Sequence, residues 1–294
     1  MRADWRAAKR AAATLVLAFG VVGAALAGEI ECAAWQSRHP EWLWCDDFES
    51  DTDLEENYFD VDRAGGRFGV STQSAFGGHG ALQAIYVPGA ESAGGIKLSL
   101  GKTPVAPKRY TGQNFDDLYW RFYMKTGASW VGQADKVTRA TIFTDTNWAQ
   151  ASIGHLWEDT VGGTGLGLDP ASGVRDDRVV TRKWNDFERL RWLGKANART
   201  QVYAPENRNR WFCVEVRMKL NVPGRADGQF VLWIDDREEA RREGLDWRGR
   251  YADYGINAIT LENWINGGPA RLQTRYFDNL VVSTRRIGCQ APTH

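Results

Sequence analysis

From Leu118 to Lys125 apolar and polar side chains alternate one for one. Leu118, Trp120, Phe122 and Met124 fall on one side of an extended chain, and Tyr119, Arg121, Tyr123 and Lys125 on the other, which is the pattern of a half-buried strand. Trp211 to Leu220 reads the same way. There Phe212, Val214, Val216, Met218 and Leu220 make the apolar face, and Cys213, Glu215, Arg217 and Lys219 the polar one. Residues 221–228 are turn formers, and Gln229 to Asp235 returns, so the pair is expected to be a hairpin with a long loop. Further strands are expected at Ala81 to Tyr86, Val137 to Phe143, Ile153 to Trp157, Ala258 to Glu262 and Arg275 to Ser283. Helix is scarce: Arg237 to Gly244 and Phe115 to Leu118 read as short helical turns without an apolar stripe. The glycine-rich run from Gly162 to Gly167 has no following Gly-Lys-Ser/Thr and reads as a surface loop. Many short strands without an internal repeat or linker give one antiparallel all-β sandwich.

The first 27 residues stand apart from this pattern. Arg2, Arg6, Lys9 and Arg10 precede an apolar, alanine-rich run from Ala11 to Leu26, and Ala25-Leu26-Ala27 fits a cleavage site, so residues 1–27 read as a signal peptide. The run is short and broken by Gly20 and Gly23, which argues against a retained membrane anchor. The exported part, residues 28–294, is then expected to be one domain, secreted or periplasmic, with no membrane span and no oligomer required. All four cysteines lie in it. An even count in an exported chain favours two disulfides, with Cys32–Cys45 clipping the N-terminus and Cys213–Cys289 tying a strand to the C-terminal tail. No close Cys or His pair offers a zinc site. With 37 Lys+Arg against 37 Asp+Glu and no basic aromatic module, nucleic acid is not an expected partner. Trp, at 14, outnumbers Phe at 12 and Tyr at 9, which fits β-rich cores and flat surfaces on which a ligand ring can stack.

At these strands the sequence resembles the concanavalin A-like jelly rolls of secreted polysaccharide lyases, of the alginate and glucuronan lyase type. The segments that carry the likeness are CDDFES, GGHGALQAIYVPG, DDLYWRFYMKTGASW, RWFCVEVRMKLNVPGRADGQFVLWIDD and RYFDNLVVSTRRIGC, which together span most of residues 45–289. The resemblance implies a jelly-roll sandwich of two antiparallel sheets acting on a uronate-containing polysaccharide. The alginate-lyase motifs R-S/T-E-x-R, Q-I-H and Y-F-K-A-G-x-Y-x-Q are absent as written, so no catalytic residue is carried over. The E-x-D-x-E strand of jelly-roll glucanases is absent too, and a retaining hydrolase has no support.

Beta-elimination on a uronate needs a cation or amide donor on the carboxylate, a base for the C5 proton and an acid for the leaving oxygen. It needs neither a metal nor a cofactor. Arg121 is the candidate for carboxylate neutralisation, Tyr123 for proton transfer and His155, alone among four histidines in a strand pattern, for the second acid/base role. Cations beside Tyr123 are expected to favour its phenolate. Tyr119, Lys125, Arg139, Glu215, Arg217 and Trp157 are candidates for substrate binding, with Trp130 and Trp148 as further members of a stacking rim. Tyr119, Arg121 and Tyr123 are expected to share one groove with His155. Two other readings stand beside the enzyme: a non-catalytic carbohydrate-binding module, and a structural envelope protein.

Overall fold

The structure, a computed structural model, describes residues 31–49, 54–106, 109–132, 134–159 and 163–290. The proposed leader, residues 1–27, lies outside them. Two eight-stranded antiparallel sheets face each other. The back sheet holds β1 (Trp42–Asp46), β3 (Phe68–Ser71), β4 (Ala81–Tyr86), β6 (Asp117–Thr126), β14 (Phe212–Lys219), β15 (Gly228–Ile234), β16 (Arg237–Leu245) and β18 (Gln273–Ser283). Its order is β16-β15-β14-β6-β18-β4-β3, and β1 also pairs with β18. The front sheet holds β2 (Asp60–Asp62), β5 (Ser92–Ser99), β7 (Lys136–Phe143), β8 (Gln150–Glu158), β9 (Leu166–Ser172), β12 (Arg191–Trp192), β13 (Ala196–Asn197) and β17 (Ala258–Trp264). Its order is β12-β9-β8-β7-β17-β5-β2, with β13 also on β9. A small hairpin, β10 (Val174–Arg175) and β11 (Arg178–Val179), leads into the segment 180–195 that crosses the front face. The architecture is an all-β jelly-roll sandwich.

The core lies between the sheets and follows the alternation. Trp120, Phe122 and Met124 of β6 and Val214, Val216 and Met218 of β14 meet Ile96 and Leu98 of β5, Ala140 and Ile142 of β7, and Ile259 and Leu261 of β17. Each fully buried aliphatic side chain of this kind contributes about 1.5–3 kcal/mol. A polar clamp sits among them. The Arg275 side chain points inward from β18, fully buried, and donates to the carbonyls of Lys136 and Glu262 and to the Asn263 side chain. It thereby ties together the ends of β7 and β17, the two strands that carry the central residues of the front face.

Three local expectations are corrected. Residues 237–244 belong to β16, an edge strand on which Arg237, Glu238, Arg241 and Glu243 are exposed while Ala240 and Leu245 are buried. Charge on an edge strand discourages pairing with another chain, and this composition resembled a solvated helical turn. Residues 117 and 118 open β6 instead of closing a helical turn, and Leu166 and Gly167 begin β9 instead of ending a loop. Both disulfides form as expected, Cys32–Cys45 and Cys213–Cys289.

Candidate functional site

The outward face of the back sheet carries most of the candidates read from the sequence, and the two ends of the described chain cover it. Arg121 is wholly buried, its guanidinium paired with the Glu31 carboxylate of the N-terminal segment. Glu31 also accepts from Asn279 Nδ2 at 2.8 Å. The Tyr123 ring stacks on Phe76 at 3.5 Å and its hydroxyl accepts the Gln290 amide of the C-terminal tail at 2.6 Å. Glu215 accepts the amides of Ile287 and Gly288 at 2.7 and 3.0 Å. Arg217 grips Asp117 with two parallel bonds and lies over Tyr119, while Lys125 is held by Ser74 between Trp211 and Tyr276. The cations beside Tyr123 do not lower its pKa: burial, the larger effect, pushes it up to about 12 against the opposing pull of Arg121.

His155 lies on the other sheet. The expectation of one shared groove is therefore wrong: Tyr119, Arg121 and Tyr123 project outward from the back sheet and His155 outward from the front one, with the whole core between them. Alternation places a side chain on one of two faces of its own sheet but does not say which outer face of the sandwich is left open.

On the front face, strand pairing aligns a row of polar side chains across six strands. Asp60 opposes Lys97, Lys97 opposes Thr260, Thr260 opposes Arg139, Arg139 opposes His155, and His155 opposes Asp169. Opposed residues in such a ladder sit about 4.5–5.5 Å apart at Cβ. Arg139 is fully buried, with Nε donating to Glu262 Oε2 at 2.7 Å and Nη2 to Oε1 of the same carboxylate. Its Nη1 donates to Asn185 Oδ1 at 2.8 Å. That bond fixes the Asn185 amide and leaves Nδ2, the donor end, for the cleft that Asn185 lines.

His155 Nδ1 lies 3.0 Å from the Asp169 carbonyl. A carbonyl only accepts, so Nδ1 carries the proton and Nε2 presents a lone pair. Nε2 is buried and has no partner among the described residues. Burial first, and Arg139 second, hold the imidazole well below its usual range, so it stays neutral at ordinary pH. Trp157, Trp192 and Phe187 surround its ring at 4.0 to 6.4 Å.

Beside this row two connected hollows share Lys136, Trp184, Asn185 and Trp264, the larger with a volume of about 640 Å³. The Lys136 ammonium lies 4.6 Å from the Trp264 ring and makes no direct ion pair with a carboxylate among the described residues. Burial lowers its pKa. Of the expected stacking rim, Trp157 lines this cleft. Trp148 packs among Phe59, Phe143 and Trp184 at its far end. Trp130 is in the core, stacked on Tyr203, and belongs to no rim.

Of the residues on this face, the sequence singled out Arg139, His155 and Trp157 as candidates, but not Lys97, Lys136, Asn185 or Glu262. The alternation Ile96, Leu98, Leu100 against Lys97 and Ser99 was the available signal for β5, but Gly94-Gly95 interrupts it. Asn185 lies in an irregular segment at positive φ, where no periodicity marks it.

A scan against models of protein families finds no match, and a search of curated proteins finds none. Solved structures do match. An endo-β-1,4-glucuronan lyase from the fungus Trichoderma reesei aligns with TM-score 0.55 at 12% identity, over 83% of this chain and 96% of that one. A marine alginate lyase from Aplysia kurodai aligns with TM-score 0.57 at 12% identity, over 83% and 99%. An alginate lyase from Chlorella virus aligns with TM-score 0.51 at 11% identity, over 85% and 96%. At that identity the shared property is the architecture, so the chain has the jelly-roll fold seen in these polysaccharide lyases.

Proposed function

We propose that the protein is an exported lyase that cleaves a uronate-containing polysaccharide by β-elimination in the front-sheet cleft. The observation that carries this reading is the neutral His155 with an unpartnered Nε2 lone pair, buried behind Trp157 and Phe187 at the wall of the cleft that an amide donor, Asn185, and an ammonium, Lys136, line. Asn185 Nδ2 and Lys136 hold the uronate carboxylate and draw charge from C5. His155 Nε2 takes the C5 proton, and the same imidazolium returns it to the leaving oxygen as the C4–O bond breaks and the C4–C5 double bond forms. Arg139 is a positioning residue, since its fork is spent on Glu262 and Asn185. This chemistry uses neither a metal nor a cofactor, and a chelator is expected to leave the rate unchanged. The two disulfides support export to a secreted or periplasmic setting, and a single domain from residue 28 acting as a monomer completes the reading.

The test is near-ultraviolet absorbance of the unsaturated product across a panel of acidic polysaccharides. His155→Ala is expected to lower turnover by about 10²–10⁴, and the acid limb of the wild-type profile is expected below the ordinary histidine range because the base stays unprotonated there. Full activity in both His155→Ala and Lys136→Ala would refute the site. A second reading, a carbohydrate-binding module, is favoured by the complete burial of His155 and by the exposure of Phe187 and Trp192 beside it. It predicts binding that these two rings control and no product from any polymer.

A further inference from the structure

The charges of the cleft narrow the kind of polymer it accepts. Its walls present three cations, Lys97, Lys136 and Lys195, and four carboxylates, Asp62, Asp135, Glu158 and Glu262. Two of the three cations are already neutralised, Lys97 by Asp60 and Lys195 by Asp169 at 3.3 Å, as is the underlying Arg139 by Glu262. Lys136 alone of these makes no direct ion pair with a carboxylate among the described residues, although Glu262 and Asp135 act on it through space. The Asp62 and Asp135 carboxylates, at the edge of the cleft, accept from neutral donors: Ser92 Oγ and the Ala64 amide for the first, the Asn266 amide and side chain for the second. Neither is therefore paired directly with a cation in these bonds, and of the two Asp135 has a cation, Lys136, acting on it through space. A polymer with a carboxylate on every sugar would set like charges against them, which costs binding energy and acts against that class of ligand. Uncharged sugars meet no such penalty and find flat apolar surface in Phe187 and Trp192, 37% and 42% exposed.

We propose that the cleft takes a heteropolysaccharide segment with one isolated uronate, held at Lys136 and Asn185, between uncharged sugars. The proposal rests on the placement of the substrate in this cleft and deepens the lyase reading by naming the substrate class.

The experiment measures affinity and product formation separately, with the full chain in buffer free of divalent cations. The probes are size-matched oligosaccharides of polyglucuronate and of deacylated gellan, in which one sugar in four is a glucuronate. The gellan fragments are expected to bind about tenfold tighter or better. Asp62→Asn/Asp135→Asn is expected to strengthen polyglucuronate binding about three- to tenfold while leaving gellan binding within about twofold. Equal or tighter binding of polyglucuronate by the parent, an equal response of both polymers to the double variant, or binding of neither would overturn the proposal. Product from polyglucuronate together with a preference for it would overturn this inference alone. The expected preference without product from any polymer would overturn the lyase reading alone.

Discussion

Replacing Arg121 by Met separates the two faces of the sandwich experimentally. The guanidinium is fully buried and its described charge partner is Glu31, itself 7% exposed. Removing it leaves a buried carboxylate with one remaining donor among the described residues, the Asn279 amide. Breaking a buried pair in this way costs about 3–5 kcal/mol. For a chain of this size about 2 °C of Tm is lost per kcal/mol, so the melting point is expected to fall by about 6–10 °C. Changing both partners, Glu31→Leu with Arg121→Met, removes the stranded charge and is expected to recover at least about 2 kcal/mol, seen as coupling in a double-mutant cycle. The assay is urea unfolding followed by Trp fluorescence for all four members of the cycle, with turnover measured well below each melting point. Turnover of folded Arg121→Met is expected to stay within about twofold, because the substitution leaves the front face intact. A variant of unchanged stability that loses turnover a hundredfold would refute the assignment of this face to structure.

Three further outcomes are expected. Opening the Cys213–Cys289 bridge, which closes 76 residues, is expected to cost about 4.5 kcal/mol against about 3 kcal/mol for Cys32–Cys45, which closes 13; denaturant midpoints of the two Cys→Ala pairs check the order, and the reverse order contradicts the chain-entropy argument. Burial pushes Asp278 up to about 8, so the folded state holds a proton that the unfolded chain has lost. Its contribution to stability is present below the unfolded carboxylate range and declines as pH rises to about 8, so urea midpoints are expected to fall between pH 6.5 and 8, and to fall less in Asp278→Asn; a rise over that window in the parent would contradict it. Phe187→Ala and Trp192→Ala are each expected to weaken oligosaccharide binding about 2- to 10-fold with little change in melting temperature, since both rings are exposed; calorimetry showing unchanged affinity in both would remove them from the cleft's binding surface.

How far the sequence could be read follows from which signals are local. The faces of β6 and β14 were legible because a strand alternates with period two whatever surrounds it, and Trp120, Phe122, Val214 and Val216 are in the core as the pattern required. The pairing of Cys213 with Cys289 and of Cys32 with Cys45 is settled by the fold, but that all four cysteines are bridged was accessible through export logic. The choice of open face was not. It is decided by Glu31 and residues 287–290, which lie far from β6 in sequence and carry no periodicity, yet lie across Arg121, Tyr123 and Glu215. The polar row from Asp60 to Asp169 was illegible for a related reason: its members come from six strands, and only their register brings them into line. Arg275 illustrates a third limit. An arginine on an expected inward position reads as an error in the pattern until the carbonyls it clamps are in place.

The covering of the back sheet also fixes a direction on the molecule. Glu31 and residues Gly288 to Gln290 line one hollow there, so both ends of the described chain emerge side by side on the face opposite the cleft. A tether, tag or neighbouring domain joined through either end approaches from behind and leaves the cleft turned outward. Two such attachments, one at each end, would leave from nearly the same point, so the protein can hang from a surface like a hand held at the wrist, with its palm free.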